Sequence, residues 1–173
     1  KFILPITALL MVFAVVKSTA QICAYDENTK YKLEDAIQYK GDEIEFIKFC
    51  CEELGKCKPG YTARGHYTLT HIAAMYNKKE ALKYLSETCG ISKDNYPASI
   101  PTGSPEKTQV MMAAEKGGAE AAKYLVDANV NLTRKNNVGK DALDYAKDYA
   151  NKSGDNTLYN YMRPFWNKAM GYA

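Results

Sequence analysis

The residue types able to carry covalent chemistry are few and scattered. Cysteines stand at Cys23, Cys50, Cys51, Cys57 and Cys89, and the two histidines are His66 and His71. A thiol beside an imidazole is what a Cys–His nucleophile needs, so a dyad on Cys57 or Cys89 is one reading. No local signature of a thiol enzyme surrounds either residue. The cysteines form no C-x-x-C, and two histidines do not complete a zinc pattern, so no metal or other cofactor is expected. An odd number of cysteines leaves at least one thiol free or paired between chains. Cys51 and Cys57 make a plausible short disulfide loop; Cys50 and Cys89 read equally as small buried residues. Acid pairs such as Glu52 with Glu53, or Asp141 with Asp144, read as solvated helix faces. "EKGGAE" at 115–120 is a turn between helices, not a phosphate loop after a strand. Sequons at Asn131 and Asn151 matter only in a host that performs N-glycosylation.

The elements that carry these residues repeat. "TLTHIAAMYNKKEALKYLSETCG" from Thr68, "TQVMMAAEKGGAEAAKYLVDANV" from Thr108 and "DALDYAKDYANKSG" from Asp141 align, with His71, Met111 and Asp144 in one column. Met111 and Asp144 are 33 residues apart; His71 and Met111 are 40 apart, the same period with an insertion. A weaker copy runs from Leu33 to Gly55. Within each copy a short alanine-rich segment precedes an amphipathic one. Leu82 and Leu85, or Ala121, Ala122, Leu125 and Val126, form the apolar stripe of the second segment. Such a unit cannot bury its apolar face alone and must stack on its neighbours.

In these residues the chain resembles the ankyrin repeat family, whose pattern runs roughly T-P-L-H-x-A-A-x-x-G-x-x-E-x-V-x-x-L-L-x-x-G-A. Thr68, His71, Ala73, Ala74, Glu80 and Leu85 match it, as do Thr108, Ala113, Ala114, Gly117, Glu120 and Leu125. Leu69 and Gln109 stand where the family has proline, and Asn129 where it has a helix-ending glycine. The resemblance implies an all-α solenoid of about four helix-turn-helix units joined by fingers, over about 31–60, 64–95, 104–136 and 137–163. It also implies a structural role for His71. The finger "SKDNYPASIPTGSPEK" holds Pro97, Pro101 and Pro105 and reads as an irregular loop. Thr157 to Met162 reads as the last second helix, ended by Pro164. Residues 164–173 then form a C-terminal cap or tail, and its aromatics are alternatively a partner-binding patch.

Residues 1–20, "KFILPITALLMVFAVVKSTA", begin with Lys1, run uncharged from Phe2 to Val16 and end in small residues. This is the plan of a secretory signal peptide, with Gln21 as the first mature residue and 21–30 as an N-terminal segment. The alternative is an uncleaved membrane anchor. The apolar run is 15 residues, short of the roughly 20 that a spanning helix needs. Beyond residue 20 the chain has 21 basic and 20 acidic residues. That balance offers nothing to nucleic acid, or to an anionic membrane after signal cleavage.

The resemblance implies a concave face lined by the fingers and the first helices. Carried over by column, its residues are Tyr39, Arg64, Tyr67, Met75, Tyr76, Glu115, Lys116, Lys140 and Tyr149. Tyrosine and methionine suit protein contacts, burying large area at modest entropic cost. The expected function is a non-enzymatic protein-binding scaffold, exported to the periplasm of a bacterium or secreted, in the sharper version an immunity or inhibitor protein. A thiol-dependent enzyme and a membrane-anchored subunit of an envelope complex are the alternatives.

Overall fold

The helix α1 (Lys32–Lys40) opens a computed structural model that describes residues 32–54, 57, 67–97 and 104–172. It is followed by α2 (Ile44–Leu54), α3 (Leu69–Met75), α4 (Lys79–Glu87), α5 (Gln109–Lys116), α6 (Ala119–Asp127), α7 (Ala142–Ser153) and α8 (Thr157–Met170). Among the described residues there is no strand. The helices form antiparallel pairs, and the pairs stack in two rows. α1, α3, α5 and α7 pack side by side in one row, and α2, α4, α6 and α8 in the other.

In the second, third and fourth pairs the first helix starts at an extended residue whose backbone N–H is taken up three residues on. Thr68 N–H donates to His71 Nδ1 at 3.3 Å, Thr108 N–H to Met111 Sδ at 3.5 Å, and Asp141 N–H to Asp144 Oδ2 at 3.1 Å. One column of the repeat therefore accepts the same cap donor with an imidazole, a thioether and a carboxylate. The reciprocal half of a capping box is present at Asp141, whose Oδ1 accepts from Asp144 N–H at 3.0 Å. Thr108 Oγ1 is buried with no hydrogen-bond partner.

The second, third and fourth pairs turn on left-handed residues. Gly117 ends α5 at φ 69°, and the equivalent Asn77 sits at φ 56°. Asn77 also uses its side chain: Oδ1 accepts from Ala121 N–H at 2.9 Å, capping the second helix of the next repeat. Asn129, in the glycine position after α6, adopts φ 58°, a conformation asparagine tolerates.

The core lies between the two rows. Ile37, Ile47, Leu69, Leu82, Leu85, Met111, Leu125 and Met162 are fully buried. Ala73, Ala74, Ala113, Ala114, Ala121 and Ala122 are buried too, and their small side chains let the helices approach. Cys51 is buried at the end of α2 and forms a disulfide with Cys57, with Cα atoms 5.1 Å apart.

Two expectations change. Pro164 does not end the last helix: α8 runs through it to Met170. The lost bond falls on the exposed side, and Leu158, Met162 and Trp166 anchor the helix on both sides of the proline. The aromatic end is a continuation of α8 rather than a separate cap or tail from residue 164; Trp166 Nε1–H donates to Asp141 Oδ2 at 2.9 Å. The signal-peptide segment, Arg64 and His66 lie outside the described residues.

Candidate functional site

The finger that follows the second repeat is held to the first-helix row by a polar clamp. Gln109, fully buried, donates from Nε2 to Ser92 C=O at 2.9 Å and to Asn95 Oδ1 at 2.7 Å, while Asn95 N–H donates to its Oε1 at 3.2 Å. Thr70 adds a hydroxyl bond to Ser92 C=O at 2.6 Å. His71 Nε2–H donates to Asn95 C=O at 3.1 Å, which leaves Nδ1 to accept at the cap. Burial lowers the His71 pKa from 6.5 to about 4, against the opposing effect of backbone hydrogen bonds to Asn95 and Lys107. It is a neutral structural imidazole, held far from solvent. The side chain that replaces the family's proline is thus the centre of the clamp, a role its sequence position alone does not disclose.

The next finger packs on the first. Arg134 Nη1 donates to Asp94 C=O at 3.3 Å, Asn131 N–H to Asp94 Oδ2 at 3.1 Å, and Tyr96 Oη to Lys135 C=O at 2.7 Å. Asn136 Oδ1 accepts from Val138 and Lys140 N–H and holds the tip, where Gly139 turns at φ 77°.

This scaffold sets out the face the columns name. Tyr39 on α1 is 71% exposed and Tyr76 after α3 is 39% exposed; Lys116 is exposed at the equivalent position of the third repeat. Tyr67 and Met75 are half-buried, Tyr67 resting against His71 with ring centroids 5.7 Å apart. Glu115 and Lys140 are both engaged. Lys107 Nζ meets Glu115 Oε1 at 2.6 Å, and Lys140 Nζ meets Asp148 Oδ2 at 2.5 Å. Each pair joins a finger lysine to an acid eight residues on. Both ammonium groups lie over the ring of Tyr145, at 5.3 Å and 5.7 Å from its centroid. The Asp148 hydrogen bond and charge raise the Lys140 pKa. A cleft of about 230 Å³ opens between them, lined by residues that include Pro105, Val138, Tyr149 and Lys152.

Tyr149 differs from the other tyrosines of its column. Its ring lies against Gly117, so closely that a β-carbon there would collide with it. It packs two repeats together and is half-buried. Lys107 reads from the sequence as a finger residue of this face; Tyr145, outside the column-derived set, is drawn into the site by the two charge pairs. The signal was available in the eight-residue spacing of lysine and acid in the third and fourth repeats.

Of the thiols a nucleophilic reaction would use, Cys57 is in the disulfide with Cys51. Cys89 is half-buried, and burial raises its pKa against a weaker opposing hydrogen bond from Tyr84. A raised thiol is a poor source of thiolate. Among the described residues no three His, Cys, Asp or Glu side chains are grouped to hold a metal ion, and no helix is long and apolar enough to cross a membrane.

A family model for ankyrin repeats, in three copies, matches residues 33–136 and 70–160. A comparison with curated proteins finds no significant match.

Proposed function

Because the chain belongs to the ankyrin repeat family, whose members generally mediate protein–protein binding, we propose that it is a protein-binding scaffold with no reaction of its own. The partner docks on the concave face built by the fingers and the first-helix row. The observation that carries this reading is the register of exposed side chains. Tyr39, Tyr76 and Lys116 occupy one position in successive repeats and stand on a floor fixed by buried caps and the Gln109 clamp. Preorganised tyrosines supply contact area without the cost of ordering them on binding.

The partner is met outside the cytoplasm in this proposal, in the envelope of a bacterium. Support comes from the leader-like composition of residues 1–20. A scaffold of this size with no reaction acts by occlusion, which makes an immunity or inhibitor protein its simplest role there; that step is analogy. N-terminal sequencing of the exported protein is expected to start at Gln21; a chain retaining residues 2–16 overturns export as a cleaved protein.

The docking face is tested by capture from an envelope extract followed by lysine acetylation of free and bound protein. Lys116, exposed on the floor, is expected to be protected in the complex, and Lys83 and Lys123, on the second-helix row, to remain reactive. The reverse pattern places the partner on the other face and sinks the reading.

A further inference from the structure

The two columns nearest the groove change character along the array. In the finger column the residues are Tyr67, Lys107 and Lys140; in the helix column, Met75, Glu115 and Asp148. The third and fourth repeats therefore place an ion pair where the second places a tyrosine and a methionine. The charges beside the apolar half are also paired within the chain: Lys40 with Glu43 at 2.8 Å and Lys78 with Asp42 at 2.6 Å. Of the floor residues that are described, Lys116 is the one charge with no ion-pair partner.

We infer that the partner segment is apolar, anchored by aliphatic or aromatic side chains on Tyr39, Tyr76 and Met75, with a single carboxylate reaching Lys116. This rests on the concave-face reading and specifies its occupant. Charge complementarity selects this occupant. A charged partner facing the ion pairs would have to displace an internal partner already at hydrogen-bonding distance, and it would desolvate a charge with no new compensation. An apolar segment on the tyrosine half meets no such obstacle and gains from every apolar contact it covers. The pairs over Tyr145 keep the other half rigid and polar, which sets the register of the segment rather than its affinity.

The probe is a library of random short peptides displayed on phage and selected on the immobilised protein, with selected peptides then synthesised and measured by fluorescence polarisation. The expected sequences combine several aliphatic or aromatic residues with one acid. Tyr39→Ala with Tyr76→Ala is expected to weaken binding about tenfold or more, and Lys116→Ala several-fold. Glu115→Gln with Asp148→Asn, which loosens the ion pairs of the polar half, is expected to weaken it less than the tyrosine pair does. Both tyrosines are exposed, and thermal melting verifies that the variants stay folded. Charged sequences that depend on Glu115 and Asp148, and not on the tyrosines, overturn the apolar anchor while leaving the concave face in place. Peptides indifferent to both sets of substitutions, or none enriched on wild type over the tyrosine variant, overturn the inference. Indifference to both sets overturns the concave face as well.

Discussion

His71 does three things with one ring: it accepts from the Thr68 cap, donates to the Asn95 carbonyl and stays neutral because it is buried. Its pKa is 6.5 in the unfolded chain and about 4 in the fold. Between those values the unfolded state binds more protons, so stability is complete above pH 6.5 and falls as pH drops towards 4. The loss is on the order of 3 kcal/mol. Urea unfolding from pH 7 to 4 is expected to show this slope in wild type and a shallower one in His71→Asn, which keeps an acceptor but does not titrate. Equal slopes contradict the assignment. Gly117 is required for two physical reasons. A side chain there must take φ 69° and displace the Tyr149 ring. Gly117→Ala is expected to cost about 1–3 kcal/mol. Combining it with Tyr149→Ala recovers the steric part but not the backbone part, which a double-mutant cycle reads directly.

At the scale of the element, the second-helix row is tied by a tyrosine ladder. Tyr124 Oη donates to Glu87 at 3.0 Å and pairs with Ser86 at 2.8 Å; Tyr161 Oη donates to Asp127 at 2.6 Å, one repeat further on. That bond to Asp127 pushes the Tyr161 pKa up to about 12. Tyr124→Phe and Tyr161→Phe are each expected to lower stability by about 0.5–1.5 kcal/mol, and a neutral result for both means the ladder is ornamental. Pro164 works the other way: it removes an amide donor inside α8. Pro164→Ala should stabilise by about 1–3 kcal/mol, measured by melting. The pairing of helices, the buried alanines and the tolerance of Asn129 for a left-handed turn were legible in the sequence, because periodicity and turn chemistry are local. Gln109 was legible only as a missing proline, since its partners Ser92, Asn95 and Thr70 come from other segments. Tyr149 read as exposed, because the column gave its position while the opposing residue, Gly117, decided its burial. Pro164 read as a stop because local propensity favours one. Contacts of Met162 and Trp166 on either side carried the helix across it.

Across the described residues, the main helix contacts run within a pair and between neighbouring pairs, so the array is a line of units coupled at their interfaces. The N-terminal pair carries Tyr39, the most exposed tyrosine of the floor, on α1. The disulfide between Cys51 and Cys57 spans six positions at the end of α2, inside that same terminal unit. Closing so short a loop contributes about 2 kcal/mol, chiefly by restricting the unfolded segment. In a linear array that contribution belongs to the end unit and is not shared evenly. Cys51→Ser with Cys57→Ser is therefore expected to speed amide exchange in α1 and α2 by more than tenfold, while amides of α5, α6 and α7 keep their wild-type protection. Affinity for a partner docked on Tyr39 and Tyr76 should fall with it, because the floor residue on α1 is then held in place for a smaller fraction of the time. Hydrogen exchange followed by mass spectrometry separates the outcomes. Protection lost together from α1 to α8 means the chain unfolds as one cooperative body, and the gradient from a stapled N-terminal end to a stable C-terminal half does not exist.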